Sequence, residues 1–93
     1  PHTVLPITAA GATIGGRVQT QSGRGIAGVA IVMIATDGQI FTATSNVFGY
    51  FRFEDIPVGE TYIINARHRE YQFTPQAVSV FEDIEGLTLT SVN

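Results

Sequence analysis

The chain has no cysteine, no lysine and no tryptophan among its 93 residues. Without cysteine it has no disulfide staple, no thiolate nucleophile and no zinc–thiolate site, and its compartment stays open on that ground. Without lysine it can form neither a Schiff base nor a side-chain cross-link from lysine to asparagine or aspartate. Charge is sparse: 14% of residues are charged, the formal net charge is −3, and the five cations are the scattered arginines 17, 24, 52, 67 and 69. The field that holds nucleic acid or an anionic membrane is therefore missing. No apolar run approaches the roughly 20 residues of a membrane-spanning helix. The opening PHTVLPITAAG lacks both the positive start and the long apolar centre of a signal peptide. With no initiator methionine, the chain reads as a piece of a longer or processed polypeptide.

What is present is globular in kind: 44% hydrophobic residues, with ten glycines and four prolines spread along the sequence. A chain of this length holds one domain, and it buries roughly 60% of the surface that its unfolded form exposes. Residues 1–11 show no sustained period and read as a linker or lead-in. From Ala12 to the end at 93, short β-branched and aromatic runs recur about every 8 to 12 residues with turn residues between them, the spacing of an all-β sandwich.

The first run is 12–18, ATIGGRV, whose Gly15-Gly16 pair predicts a bulge or a close backbone approach. A glycine-punctuated loop over 21–28 leads to the most apolar run, 29–35 (VAIVMIA). Thr36-Asp37-Gly38 then predicts a hairpin turn with positive φ at both central residues, returning through 39–45. In GYFRF, at 49–53, a period of two puts Phe51 and Phe53 on one face and Tyr50 and Arg52 on the other. Glu54-Asp55 are expected to leave the sheet, and Pro57 and Gly59 to bend the chain. The next strand, 61–68, carries Tyr62, Ile64 and Ala66 on one face. Runs around 73–81 and 87–92 bring the count to seven.

The stretch SNVFGYFRFEDIPVGETYIINA resembles the signature of carboxypeptidase regulatory-like domains, in which a Gly-x-Phe-x-Phe strand passes through a Leu/Ile-Pro-x-Gly corner into a strand beginning with tyrosine. Upstream, IGGRVQTQSGRGIAGVAIVM is similar to the same family's opening. The two motifs, about 30 residues apart, together cover 14 to about 90. The resemblance implies a transthyretin-like (prealbumin-like), seven-stranded sandwich of Greek-key type. It also implies an accessory module without catalytic residues, found after metallocarboxypeptidase catalytic domains and widely in bacterial secreted and cell-surface proteins. Where many relatives carry Asp or Asn before the glycine, this chain has Phe48, so the calcium or turn chemistry of that acidic position is not carried over.

Each candidate site also has a plainer structural role. His2 and His68 have no carboxylate and poised serine in the pattern of a triad, and serines 22, 45, 79 and 91 lack a nucleophile-elbow context, so no catalytic residue is assigned. The carboxylates at 54–55 and at 82, 83 and 85 lack the alternating spacing of a calcium loop and read as solvated turn acids; no metal or cofactor is expected. Arg67, His68, Arg69 and Glu70 read as a charged edge that discourages aggregation. Two surfaces remain as candidate ligand or partner patches. With Val29, Ile31 and Met33 facing the core, Ala30, Val32 and Ile34, together with Ile63, form an apolar outer stripe suited to a neighbouring domain or a second copy; a slipped register or cover from TVLPI explains it equally well. Phe48, Tyr50 and Arg52 offer stacking and hydrogen bonding to a polysaccharide or a surface protein, although without tryptophan the patch reads first as packing.

The expectation is thus a non-catalytic spacer and domain-positioning module of a secreted or cell-surface bacterial protein, partnered by neighbouring domains of its own chain. The alternatives are a carbohydrate- or protein-binding adhesion module and a regulatory appendage of a metallocarboxypeptidase. The core is expected to hold Phe51, Phe53, Tyr62, Ile64, Val29, Ile31 and Leu89.

Overall fold

Seven strands and no helix form over residues 11–93, the part that the computed structural model describes. They are β1 (Ala12–Gln19), β2 (Ala30–Ala35), β3 (Ile40–Thr44), β4 (Tyr50–Ile56), β5 (Glu60–Arg67), β6 (Gln76–Val80) and β7 (Ile84–Thr90). A three-stranded sheet of order β4-β1-β7 and a four-stranded sheet of order β3-β2-β5-β6 share one apolar core. This is the expected β-sandwich. His2, the TVLPI segment and the rest of the lead-in up to residue 10 lie outside the described residues.

Alternation of side chains builds that core. Ala12, Ile14 and Val18 of β1 face inward, as do Ile31 and Met33 of β2, Phe51 and Phe53 of β4, and Tyr62, Ile64 and Ala66 of β5. All seven residues expected in the core are buried, with Val29, Ile31, Tyr62 and Ile64 sealed completely. Removing a side chain of that size from water contributes about 1.5 to 3 kcal/mol. The rings of Phe51 and Phe53 meet edge to face with centroids 6.0 Å apart, which adds a directional term to the packing.

The structure corrects three local expectations. Glu54 and Asp55 do not leave the sheet. Ala12 pairs with Ile56 and Ile14 with Phe53, so two residues of β4 stand opposite Thr13 alone. The bulge leaves both acids exposed and turns Ile56 inward; Asp55 carries the strain at φ 58°. In the β2–β3 turn only Gly38 has positive φ, at 91°. Gly38 N–H donates to the Ala35 carbonyl and Ala35 N–H to that of Gln39, so the loop holds three residues, with the left-handed position last. β6 begins only at Gln76, because the preceding 68–75 segment crosses the end of the sandwich, where Val92 N–H donates to the Gln72 carbonyl.

The corner after β4 is held by Tyr62, whose hydroxyl donates to the Pro57 carbonyl at 2.5 Å. This explains a tyrosine near the start of β5: its ring fills the core and its one polar atom ties down the bend.

β1 and β7 are neighbours and run parallel, Ile14 beside Ile84 at one end and Gln19 beside Thr90 at the other. The chain therefore comes in at one pole of the sandwich and leaves at the opposite one. Eight residues of strand at about 3.3 Å each set those poles roughly 25 Å apart, loops excluded.

Candidate functional site

Two outer faces carry the candidate patches. On the three-stranded sheet, β1 turns Thr13, Gly15 and Arg17 outward and β4 turns Tyr50 and Arg52 outward. With no side chain at Gly15, the face is indented, and an open depression of about 730 Å³ is lined there by Thr13, Arg17, Tyr50, Arg52, Glu85 and Thr88 among others. Tyr50 and Arg52 are thus brought together in one groove. Phe48 is 67% exposed at the tip of the β3–β4 turn and does not line it.

The groove's charges are largely engaged. Arg17 Nε donates to the Phe48 carbonyl at 3.1 Å, and its Nη1 donates to Gln19 Oε1 at 3.1 Å and to the Gly23 carbonyl at 3.0 Å. Its guanidinium carbon lies 5.6 Å from the centre of the Tyr50 ring. Arg17 therefore ties the β1–β2 loop to the β3–β4 turn, a role its isolated position in the sequence did not reveal. Arg52 forms an ion pair with Glu54 at 3.3 Å, both side chains largely in solvent. Asn46 shapes the turn below Phe48: its Oδ1 accepts from the N–H of Phe48 at 2.9 Å and of Tyr50 at 3.0 Å. The turn chemistry absent from position 48 is thus supplied by Asn46.

On the four-stranded sheet, Ala30 and Ile34 face outward, Val32 is half-buried, and Ile63 is 46% exposed. Ile34 pairs across strands with Ile63 on one side and with Ile40, itself 60% exposed, on the other. Ala30 instead stands between Thr44 and Arg67, and Val32 between Thr42 and Asn65. The apolar surface accordingly runs across three strands at Ile40, Ile34 and Ile63 rather than along β2. The period of β2 pointed to Ile34; Ile40 was missed because its importance comes from cross-strand pairing.

Ser45, His68 and Asp83 make contacts within the fold. Ser45 is buried, accepting from Val29 N–H at 2.9 Å and donating to the Ile26 carbonyl at 2.7 Å. His68 Nδ1 accepts the Glu70 N–H at 3.1 Å, and its ring lies 5.3 Å from that of Tyr71. Asp83 Oδ1 accepts from Thr13 N–H at 2.9 Å. Among the described residues no three His, Asp or Glu side chains converge in a way that would hold a metal ion. Burial, then the charges of Glu60 and Asp37, raise the Tyr62 hydroxyl above the ordinary tyrosine pKa.

The family model described as carboxypeptidase regulatory-like domain matches residues 13–90. No curated protein matches the chain in sequence. Among solved structures, the major pilin subunit of Bacillus cereus is similar, with a TM-score of 0.72 at 17% identity, covering 88% of this chain and 30% of that one. The Bacillus anthracis TIE protein is similar with a TM-score of 0.65 at 11% identity, covering 89% of this chain and 17% of that one. The likeness to both is one of fold, and the chain spans less than a third of either.

Proposed function

The chain belongs to the carboxypeptidase regulatory-like domain family, and from that premise we propose that it is a non-catalytic spacer module, residues 12–93 with 1–11 as lead-in, within a larger bacterial secreted or cell-surface protein. The observation that carries this reading is the parallel pairing of β1 with β7. A module whose chain comes in and goes out at opposite poles adds its own length to whatever it is inserted into. One whose ends lay side by side would hang off the chain as a branch. The sealed core makes that length stiff, which sets the distance and orientation of neighbouring domains. Similarity in fold to parts of a pilin subunit and of a second, longer chain supports an extracellular setting.

A second reading, a polysaccharide- or protein-binding module, is favoured by the groove that gathers Tyr50 and Arg52 beside Arg17, with Phe48 exposed nearby. Two-dimensional amide NMR separates the two. The domain is titrated with a panel of soluble polysaccharides and then with the domains that flank it in its parent chain. The spacer reading expects no saturable shifts with any glycan and shifts near the poles or along 30–34 with a flanking domain. Saturable shifts confined to 48–52 with one glycan would replace the spacer by a binding module.

A further inference from the structure

The ionised side chains are sorted along the long axis of the sandwich. At the pole where β1 begins lie the β2–β3 turn, the β4–β5 corner and the β6–β7 turn; Ala12 pairs with Ile56, Ile14 with Ile84, Ala35 with Tyr62, and Gly59 N–H donates to the Val80 carbonyl. These connections and their flanks carry Asp37, Asp55, Glu60, Glu82 and Asp83, with no cation among them. At the pole where β7 ends lie the β1–β2 loop and the 68–75 segment, with Ala30 beside Arg67 and Arg17 beside Thr88. That end carries Arg17, Arg24, Arg67 and Arg69 against Glu70 alone. The only ion pair among the described residues, Arg52 with Glu54, lies between the ends, so no ion pair among the described residues neutralises either pole.

From this segregation we propose that the two poles form a head-to-tail interface between copies of this chain, the basic C-terminal pole of one copy seated on the acidic N-terminal pole of the next. The partner is specified by complementarity, since each copy carries both halves of the contact. The poles stand roughly 25 Å apart, more than two Debye lengths at 0.1 M salt, so each acts as a separate patch and the net charge of −3 does not cancel the attraction on contact. Head-to-head contact would oppose five carboxylates to five more and is repelled. A head-to-tail contact that does not close on itself propagates, giving chains of copies rather than a fixed dimer. The spacer reading places flanking domains at these same two poles, so the interface concerns poles that no flanking domain covers, and the association of the chain by itself tests it separately from that reading.

Sedimentation velocity on the whole chain tests it. At about 0.1 M salt, where the Debye length is about 10 Å and the two poles act separately, the average mass should rise with concentration past that of two copies; at about 0.5 M salt it should return to one. Two surface variants sharpen the test: Glu60→Arg with Glu82→Arg, and Arg67→Glu with Arg69→Glu, none of which accepts or donates a side-chain hydrogen bond among the described residues. Each variant alone should stay monomeric. Mixed in equal amounts they should associate but stop at a heterodimer, because only the basic pole of the first and the acidic pole of the second remain intact. A wild-type chain that is monomeric at the lower salt up to about 1 mM overturns the proposal, the contact then being too weak for mass action to populate. So does association that both variants retain and salt leaves unchanged, which would assign pairing to the apolar surface at Ile34 and Ile63.

Discussion

Two adjacent glycines in β1 should respond in opposite ways to the same methyl group. Gly16 faces the core, and a Cβ there would fall onto the Leu87 carbonyl oxygen and within 2.7 Å of Phe51 Cζ. The ring can shift but the carbonyl belongs to the backbone of β7, so relief requires β7 to move away from β1. That movement disrupts one or two ladder hydrogen bonds at about 1 kcal/mol each, and overpacking a tight site costs about 1 to 3 kcal/mol. Gly16→Ala should therefore lose about 2 kcal/mol or more, a fall in Tm of about 10 °C or more for a domain of this size. Gly15 faces outward, where a Cβ would meet only the carbonyl oxygens of Ile84 at 3.9 Å and Phe51 at 4.0 Å, ordinary contact distances. Gly15→Ala should be neutral or stabilising by about 0.5 kcal/mol, because alanine narrows the unfolded ensemble. Urea unfolding followed by far-ultraviolet circular dichroism measures both. The reasoning fails if Gly16→Ala stays within about 0.5 kcal/mol of the wild type, or if the two variants lose the same amount.

Phe53→Ala empties a buried ring site and should cost about 3 to 5 kcal/mol in the same assay; a loss below about 1 kcal/mol would contradict the inward register of β4. Tyr62→Phe removes the bond to Pro57 and should cost about 1 to 2 kcal/mol at pH 7. Because burial raises the Tyr62 pKa above its unfolded value of about 10, its contribution is complete below pH 10 and is lost as pH climbs through the folded value. The variant should thus lose stability less steeply above about pH 10, and an unchanged alkaline slope would show that Tyr62 does not drive it.

Much of the sandwich was legible because its signals are local. Alternation over five residues places Phe51 and Phe53 together whatever else the chain does, and Pro57 with Gly59 bends the chain wherever it occurs. The bulge at Glu54 and Asp55 was not legible: whether two exposed acids end a strand or widen it depends on Ala12 and Ile14 across the ladder. The candidate patches were legible to the same extent. Period two sent Tyr50, Arg52, Ile34 and Ile63 outward, but Gly15, Arg17 and Thr88 joined the groove, and Ile40 the apolar surface, only through strands paired across the sheet.

By itself the sequence determined the class of the protein: cysteine-free, lysine-free, weakly acidic, seven short strands with one small apolar core. Tertiary structure alone decided that β1 lies parallel beside β7, that Thr13 N–H is met by Asp83 seventy residues away, and that acids and arginines gather at opposite poles. The reason is physical. Side-chain periodicity and turn chemistry act over a few residues, whereas the choice of neighbouring strand is made between distant segments by backbone hydrogen bonding and by the shape of the core they enclose.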